Sequence, residues 1–78
     1  MDNIVEVVAL LRQQSELEYR LIHGDGTAAA TEHALETTRR RLAAHPQALN
    51  AVLHAARALG RTPDRISAHD VRAWGGSN

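Results

Sequence analysis

The chain contains no cysteine, no lysine and no phenylalanine, and its only aromatic side chains are Tyr19 and Trp74. Without cysteine there is no disulfide framework, an absence that fits a reducing compartment such as the cytoplasm. So few aromatic residues argue against a strand-rich fold, which draws on aromatic and β-branched side chains to cover a pleated surface. No apolar run approaches the roughly 20 residues that a bilayer-spanning helix requires. The first residues, MDNIVEVVALL, have no basic leader region and carry Asp2 and Glu6, so they do not read as a secretion signal. The expectation is a soluble cytoplasmic protein that does not enter a membrane. Every basic residue is arginine, a bias that together with the abundant alanine reflects a GC-rich coding sequence, not selection for phosphate geometry.

Alanine, leucine, arginine, glutamate and glutamine dominate what remains, and these are helix formers. With 78 residues the chain is long enough for one domain and too short for two. The expected fold is all-α: residues 1–78 form a single helical domain, a small bundle of three main helices plus a short C-terminal helix. A core of this size is marginal, and such chains often lean on a metal, a disulfide or a second copy.

The first helix is expected over about 3–22. Ile4, Val7, Val8, Leu10, Leu11, Leu17, Leu21 and Ile22 recur at the 3.6-residue period and make an apolar arc close to half the circumference. His23-Gly24-Asp25-Gly26 then reads as a tight turn, with Gly24 as a left-handed helix cap. The second helix is expected over about 27–44, capped by Thr27 or Asp25, with a thin buried stripe of Ala28, Thr31, Leu35, Thr38 and Leu42. His45-Pro46 breaks it, because the residue before proline avoids the helical region. Pro46 suits the first turn of a third helix, about 46–59, with a stripe of Leu49, Val52, Leu53, Ala56 and Leu59 closed by Gly60. Near the C-terminus, Ser67 and Asp70 have capping-box spacing, and Ile66 and Val71 have the spacing of a hydrophobic staple. They predict a short helix at about 68–74, docked on the core through Trp74 and ended by Gly75-Gly76.

Charge is divided along the chain. Residues 1–36 hold seven acids and two arginines, net −5, and residues 37–78 hold seven arginines and two acids, net +5. Such halves can neutralise each other within one fold or across a dimer, or leave a basic face for an anionic partner. Glu18 falls near the middle of the apolar arc of the first helix. A buried carboxylate needs a partner or a proton, and Arg41 is the expected partner in a buried polar pair.

No convergent chemistry is legible. The histidines, His23, His33, His45, His54 and His69, are dispersed, whereas a zinc site needs three or four convergent ligands. Gly24 and Gly26 have neither a preceding strand nor the rest of a phosphate-loop motif. No catalytic residue, metal or cofactor is expected, and the protein is read as a non-enzyme. Of the 34 hydrophobic residues 14 are alanine, so large apolar side chains concentrate in the first helix. Its arc exceeds what the other stripes can cover. This predicts a regulatory or accessory protein acting by protein–protein contact, a homodimer with Val7, Leu10, Leu17 and Leu21 in the interface and a further protein partner.

The alternative is a helix-turn-helix DNA-binding regulator over residues 52–71. Ala56, Gly60 and Ile66 have the small–glycine–β-branched spacing of that unit, and Arg61, Arg65, His69 and Arg72 would face the groove. Arg61 and His69 sit where such units usually bury apolar side chains, which counts against it.

Overall fold

In the computed structural model, which describes residues 3–24 and 26–76, four α-helices and one short 3₁₀ helix follow in order, and no strand occurs among the described residues. The helices are α1 (Ile4–His23), α2 (Ala28–Ala43), α3 (Pro46–Ala58) and α4 (Ala68–Gly76); a 3₁₀ turn, Pro63–Arg65, precedes α4. The all-α bundle of three main helices and a short fourth is therefore what the periodicity predicts. The boundaries differ by one or two residues, and Gly75 and Gly76 form the last positions of α4 instead of following it. Asp2 and Asp25, the latter a candidate cap for the second helix, lie outside the described residues.

Local chemistry accounts for the breaks. Gly24 takes φ +71° and its N–H donates to Arg20 O, closing α1 in the left-handed conformation that glycine adopts without a Cβ clash. His45 adopts φ −126°, off the helical region as its following proline demands, and Pro46 opens α3. At the end of α3, Arg61 N–H donates to Ala56 O (2.8 Å) and Gly60 N–H to Arg57 O (3.2 Å), with Gly60 at φ +67°. That pair of bonds is a Schellman motif. The capping box forms as its spacing predicts: Asp70 N–H donates to Ser67 Oγ (3.1 Å) and Ser67 N–H to Asp70 Oδ2 (3.4 Å). Ile66 and Val71, the staple pair, are both buried in the core, and the half-buried Trp74 packs against it.

The core cluster joins Val7, Val8 and Leu10 of α1, Leu42 of α2, Val52, Ala55 and Ala56 of α3, Ile66, and Val71 of α4. Only the first half of α1 contributes to it. α2 runs back along α1 and packs chiefly on it, while α3 and α4 pack on each other and on α1. Two polar contacts mark where that second layer stops. Ser15 Oγ donates to Asp64 Oδ2 (2.8 Å), and Arg12 Nη2 donates to Ile66 O (3.3 Å). At the other end, His45 Nε2 lies 3.3 Å from Glu6 Oε2, so α3 starts beside the first turn of α1. Residues 16–23 then continue past the layer by about 12 Å, at 1.5 Å per residue. The elongated envelope, 44 × 24 × 14 Å, reflects that overhang.

Candidate functional site

Two surfaces combine exposed apolar side chains with charge: the end of α1 that outruns its neighbours, and a groove beside α3.

The first is the overhanging end of α1. Positions Leu11 and Ser15 face the layer of α3, the 3₁₀ turn and α4; at 100° per residue that side continues through Glu18 and Ile22, with Tyr19 next to it. Beyond Ser15 nothing among the described residues covers it. Ile22 is 80% exposed, Tyr19 59% and Leu21 36%. Only the side toward α2 is closed. The buried residues there, Leu17 on α1 with Thr31, Leu35 and Thr38 on α2, stand outside the main cluster. Both threonines return their hydroxyls to the helix: Thr31 Oγ1 donates to Thr27 O (3.1 Å) and Thr38 Oγ1 to Ala34 O (2.8 Å). Thr27 itself occupies the N-cap position of α2 without a side-chain cap bond.

This geometry corrects two expectations. Val7, Leu10 and Leu17 are buried within the chain's own fold, so of the four residues expected at a subunit interface only Leu21 is exposed. The side chains of the first half of α1 are consumed by the core; those free to meet another surface are Tyr19, Leu21 and Ile22. Nor is there a buried pair of Glu18 and Arg41. Both residues are exposed, and neither takes part in an ion pair among the described residues. The apolar arc loses its cover after Ser15, which leaves the Glu18 carboxylate exposed to solvent.

The second surface is a groove of about 550 Å³ between α3 and the 3₁₀ turn, open to solvent and lined by Asn50, Leu53, His54, Ala56, Arg57, Arg61 and Pro63. Leu53, expected in the buried stripe of α3, is 40% exposed, and Leu59 is also exposed, while Ala55 is fully buried. The stripe of α3 is thus narrower than its leucines suggest, with alanines filling the closest approach. Arg61 Nη1 donates to Asp70 Oδ2 at 2.7 Å, which ties the groove to the cap of α4. Hydrogen bonds from Ser67, side chain first and then backbone, hold the Asp70 carboxyl below its ordinary value, with Arg61 adding to the effect. Asp64 is likewise lowered, first by the Thr62 hydroxyl and then by Ser15. No sequence motif marks this groove. A signal was nonetheless present: residues 37–63 contain no aspartate or glutamate.

The landmarks of the helix-turn-helix are all in place individually. Ala56 and Ile66 are buried, and Gly60 has positive φ. Their surroundings differ from that unit. α3 and α4 are separated by residues 59–67, with a 3₁₀ turn inside, where a helix-turn-helix uses three or four residues. Gly60 serves the Schellman cap and Ile66 the staple. Arg61, Arg65, His69 and Arg72 are all exposed, yet Arg61 and Arg65 precede α4, so the helix itself presents only His69 and Arg72.

No group of three or more histidine, aspartate or glutamate side chains among the described residues is placed to hold a metal ion, and no helix is long and apolar enough to cross a membrane. Comparison of the chain with protein-family models, with curated proteins and with solved structures gave no match.

Proposed function

We propose that the protein works by protein–protein contact in the cytoplasm, as a small non-enzymatic accessory or regulatory protein that self-associates through the overhanging end of α1. One observation carries the reading: Ile22 and Tyr19 lie side by side in the open on the last two turns of α1, with Leu21 partly exposed at the border with α2, whereas the apolar residues of its first three turns include the most buried in the chain. Contiguous exposed apolar surface of this kind marks an interaction site.

The favoured occupant is a second copy. Residues 16–35 form a two-helix layer with only Leu17, Thr31 and Leu35 buried between them, and two helices alone make a thin core. Stacking two such hairpins about a two-fold axis gives a four-helix arrangement, a common all-α core, in the commonest symmetry of soluble oligomers. Glu18 lies within the patch, and two copies of it across the axis repel. That tempers the affinity and suits a reversible contact better than an obligate one.

Because the chain has no cysteine, an introduced one is unique. Under mild oxidation Ile22→Cys is expected to give a disulfide-linked dimer far faster than Thr37→Cys, on the exposed face of α2. Equal rates for the two variants would remove the α1 end from the contact.

A further inference from the structure

The groove between α3 and the 3₁₀ turn is separate from the end of α1, and it has a chemistry of its own. We propose that it is a docking site for a segment of another protein that is acidic and carries a leucine-like side chain.

Its floor is apolar and its rim is basic. Leu53 and Pro63 offer a partly exposed hydrocarbon surface; His54, Arg57 and Arg61 supply positive or protonatable groups, and Asn50 a side-chain amide. No carboxylate lines it among the described residues. The two nearest acids in the sequence engage other groups: Asp64 accepts from Ser15 and Thr62, and Asp70 accepts from the Ser67 N–H and from Arg61. Arg57 and His54 form no ion pair among the described residues. Asp70 thus offsets the charge of Arg61, and Arg57 is the guanidinium of the groove left without an ion pair among the described residues.

Arg61 is also held in place. Its bond to Asp70 uses one guanidinium nitrogen, and a guanidinium carries five N–H donors in a fixed fork, so donors remain for an incoming carboxylate. A restrained arginine loses less side-chain freedom on binding than a mobile one.

Shape selects the class of ligand. Enclosed clefts of roughly 300–1,000 Å³ bury most of a small molecule. This groove reaches that size but is open, so it covers one side of a ligand only, as a surface receiving side chains of a docked peptide does. Nucleic acid fits less well. Single strands are held by stacking bases on aromatic rings, and neither aromatic residue lines the groove. Duplex DNA presents phosphates to the arginines and has no use for the Leu53–Pro63 floor.

The test is fluorescence anisotropy of the full chain with three labelled probes. These are an amphipathic peptide of about 14 residues with glutamate and leucine at helical spacing, the same peptide with glutamine for glutamate, and a duplex of about 20 base pairs. The glutamate peptide is expected to bind, and its affinity to fall at least about tenfold with Arg57→Glu and severalfold with Leu53→Ser. Both residues are exposed, so thermal melting confirms that the variants stay folded. Arg40→Gln, on α2 and paired with Glu36, is expected to leave binding unchanged. Equal binding of the glutamine peptide overturns the proposal, as does indifference to both groove variants or failure of the glutamate peptide to bind at high micromolar protein. Tighter binding of the duplex, lost with Arg57→Glu but insensitive to Leu53→Ser, overturns it in favour of nucleic acid.

Discussion

The two halves of α1 are written in the same apolar periodicity and have opposite fates. Over residues 4–15 the arc meets α2 on one side and α3, the 3₁₀ turn and α4 on the other, and Val7, Val8 and Leu10 are buried. Over residues 16–23 it meets α2 alone, and Tyr19, Leu21 and Ile22 are left in the open. The difference lies in the neighbours: α1 has 20 residues and α3 has 13. An amphipathic pattern reports what a helix can bury, and the length of its neighbours decides what it does bury.

The largest expected effect comes from breaking the first half. Leu10→Ala removes a core side chain and leaves a cavity, at a cost of about 2–5 kcal/mol, which for a domain this small is a large part of its total stability. The matching change in the second half, Ile22→Ala, is expected within about 0.5 kcal/mol of wild type. Chemical denaturation of the two variants, at a concentration too low for self-association, measures the contrast. Equal destabilisation by both would mean that the end of α1 is packed like its start.

A smaller effect sharpens the boundary where the second layer begins and ends. Gly60→Ala puts a Cβ on a residue at φ +67°. No neighbouring atom crowds that position, so the cost, about 1 kcal/mol, is the left-handed backbone penalty alone. Ser67→Ala removes the acceptor of the α4 cap and is expected to cost about 0.5–2 kcal/mol, with red-shifted Trp74 fluorescence as the helix loosens. Undiminished stability in either variant would show that α3 and α4 do not depend on these caps for their docking.

These caps also mark how much was legible from sequence. Ser67, Asp70, Ile66 and Val71 interact within five residues of one another, so their spacing alone implies their geometry; the same holds for Gly24 and for His45-Pro46. The contacts that set the limit of the second layer span much more chain. Ser15 and Asp64 are 49 positions apart and Arg12 and Ile66 are 54 apart, and no local pattern links them. Glu18 was misplaced for that reason: its helical angle is right, but the cover on that side ends three residues earlier. The proximity of His45 to Glu6 is likewise long-range. The groove on α3 was hidden by its leucines. Leu53 fits the apolar stripe by spacing, and only the tight approach of Ala55 and Ala56 pushes it to the rim.

The Ser15–Asp64 contact carries a modest pH dependence. Hydrogen bonds from Thr62 and Ser15 lower the Asp64 carboxyl in the folded state relative to an unfolded value of about 3.9. The unfolded chain therefore takes up the proton first as acid is added. The contribution to stability is complete above about pH 5 and is lost as pH falls through the lowered folded value. Asp64→Asn is expected to flatten the acid limb of a melting-temperature profile. An unchanged limb would place the acid sensitivity elsewhere.

The smallest change in fold stability accompanies the clearest change in association. Glu18→Leu removes an exposed carboxylate from the patch and is expected to leave the melting temperature of the dilute monomer unaltered while tightening self-association. Weaker association would mean that the carboxylate is an attractive element of the contact.

Sedimentation velocity over a wide concentration range tests most directly whether the end of α1 is a surface and not part of the core. For wild type the account predicts a mass rising from 8.5 kDa toward about 17 kDa, twice the chain mass. For Ile22→Ser it predicts 8.5 kDa throughout, with wild-type thermal stability at low concentration. A wild type that stays at 8.5 kDa at high micromolar concentration, or an Ile22→Ser variant that dimerises as wild type does, would contradict it.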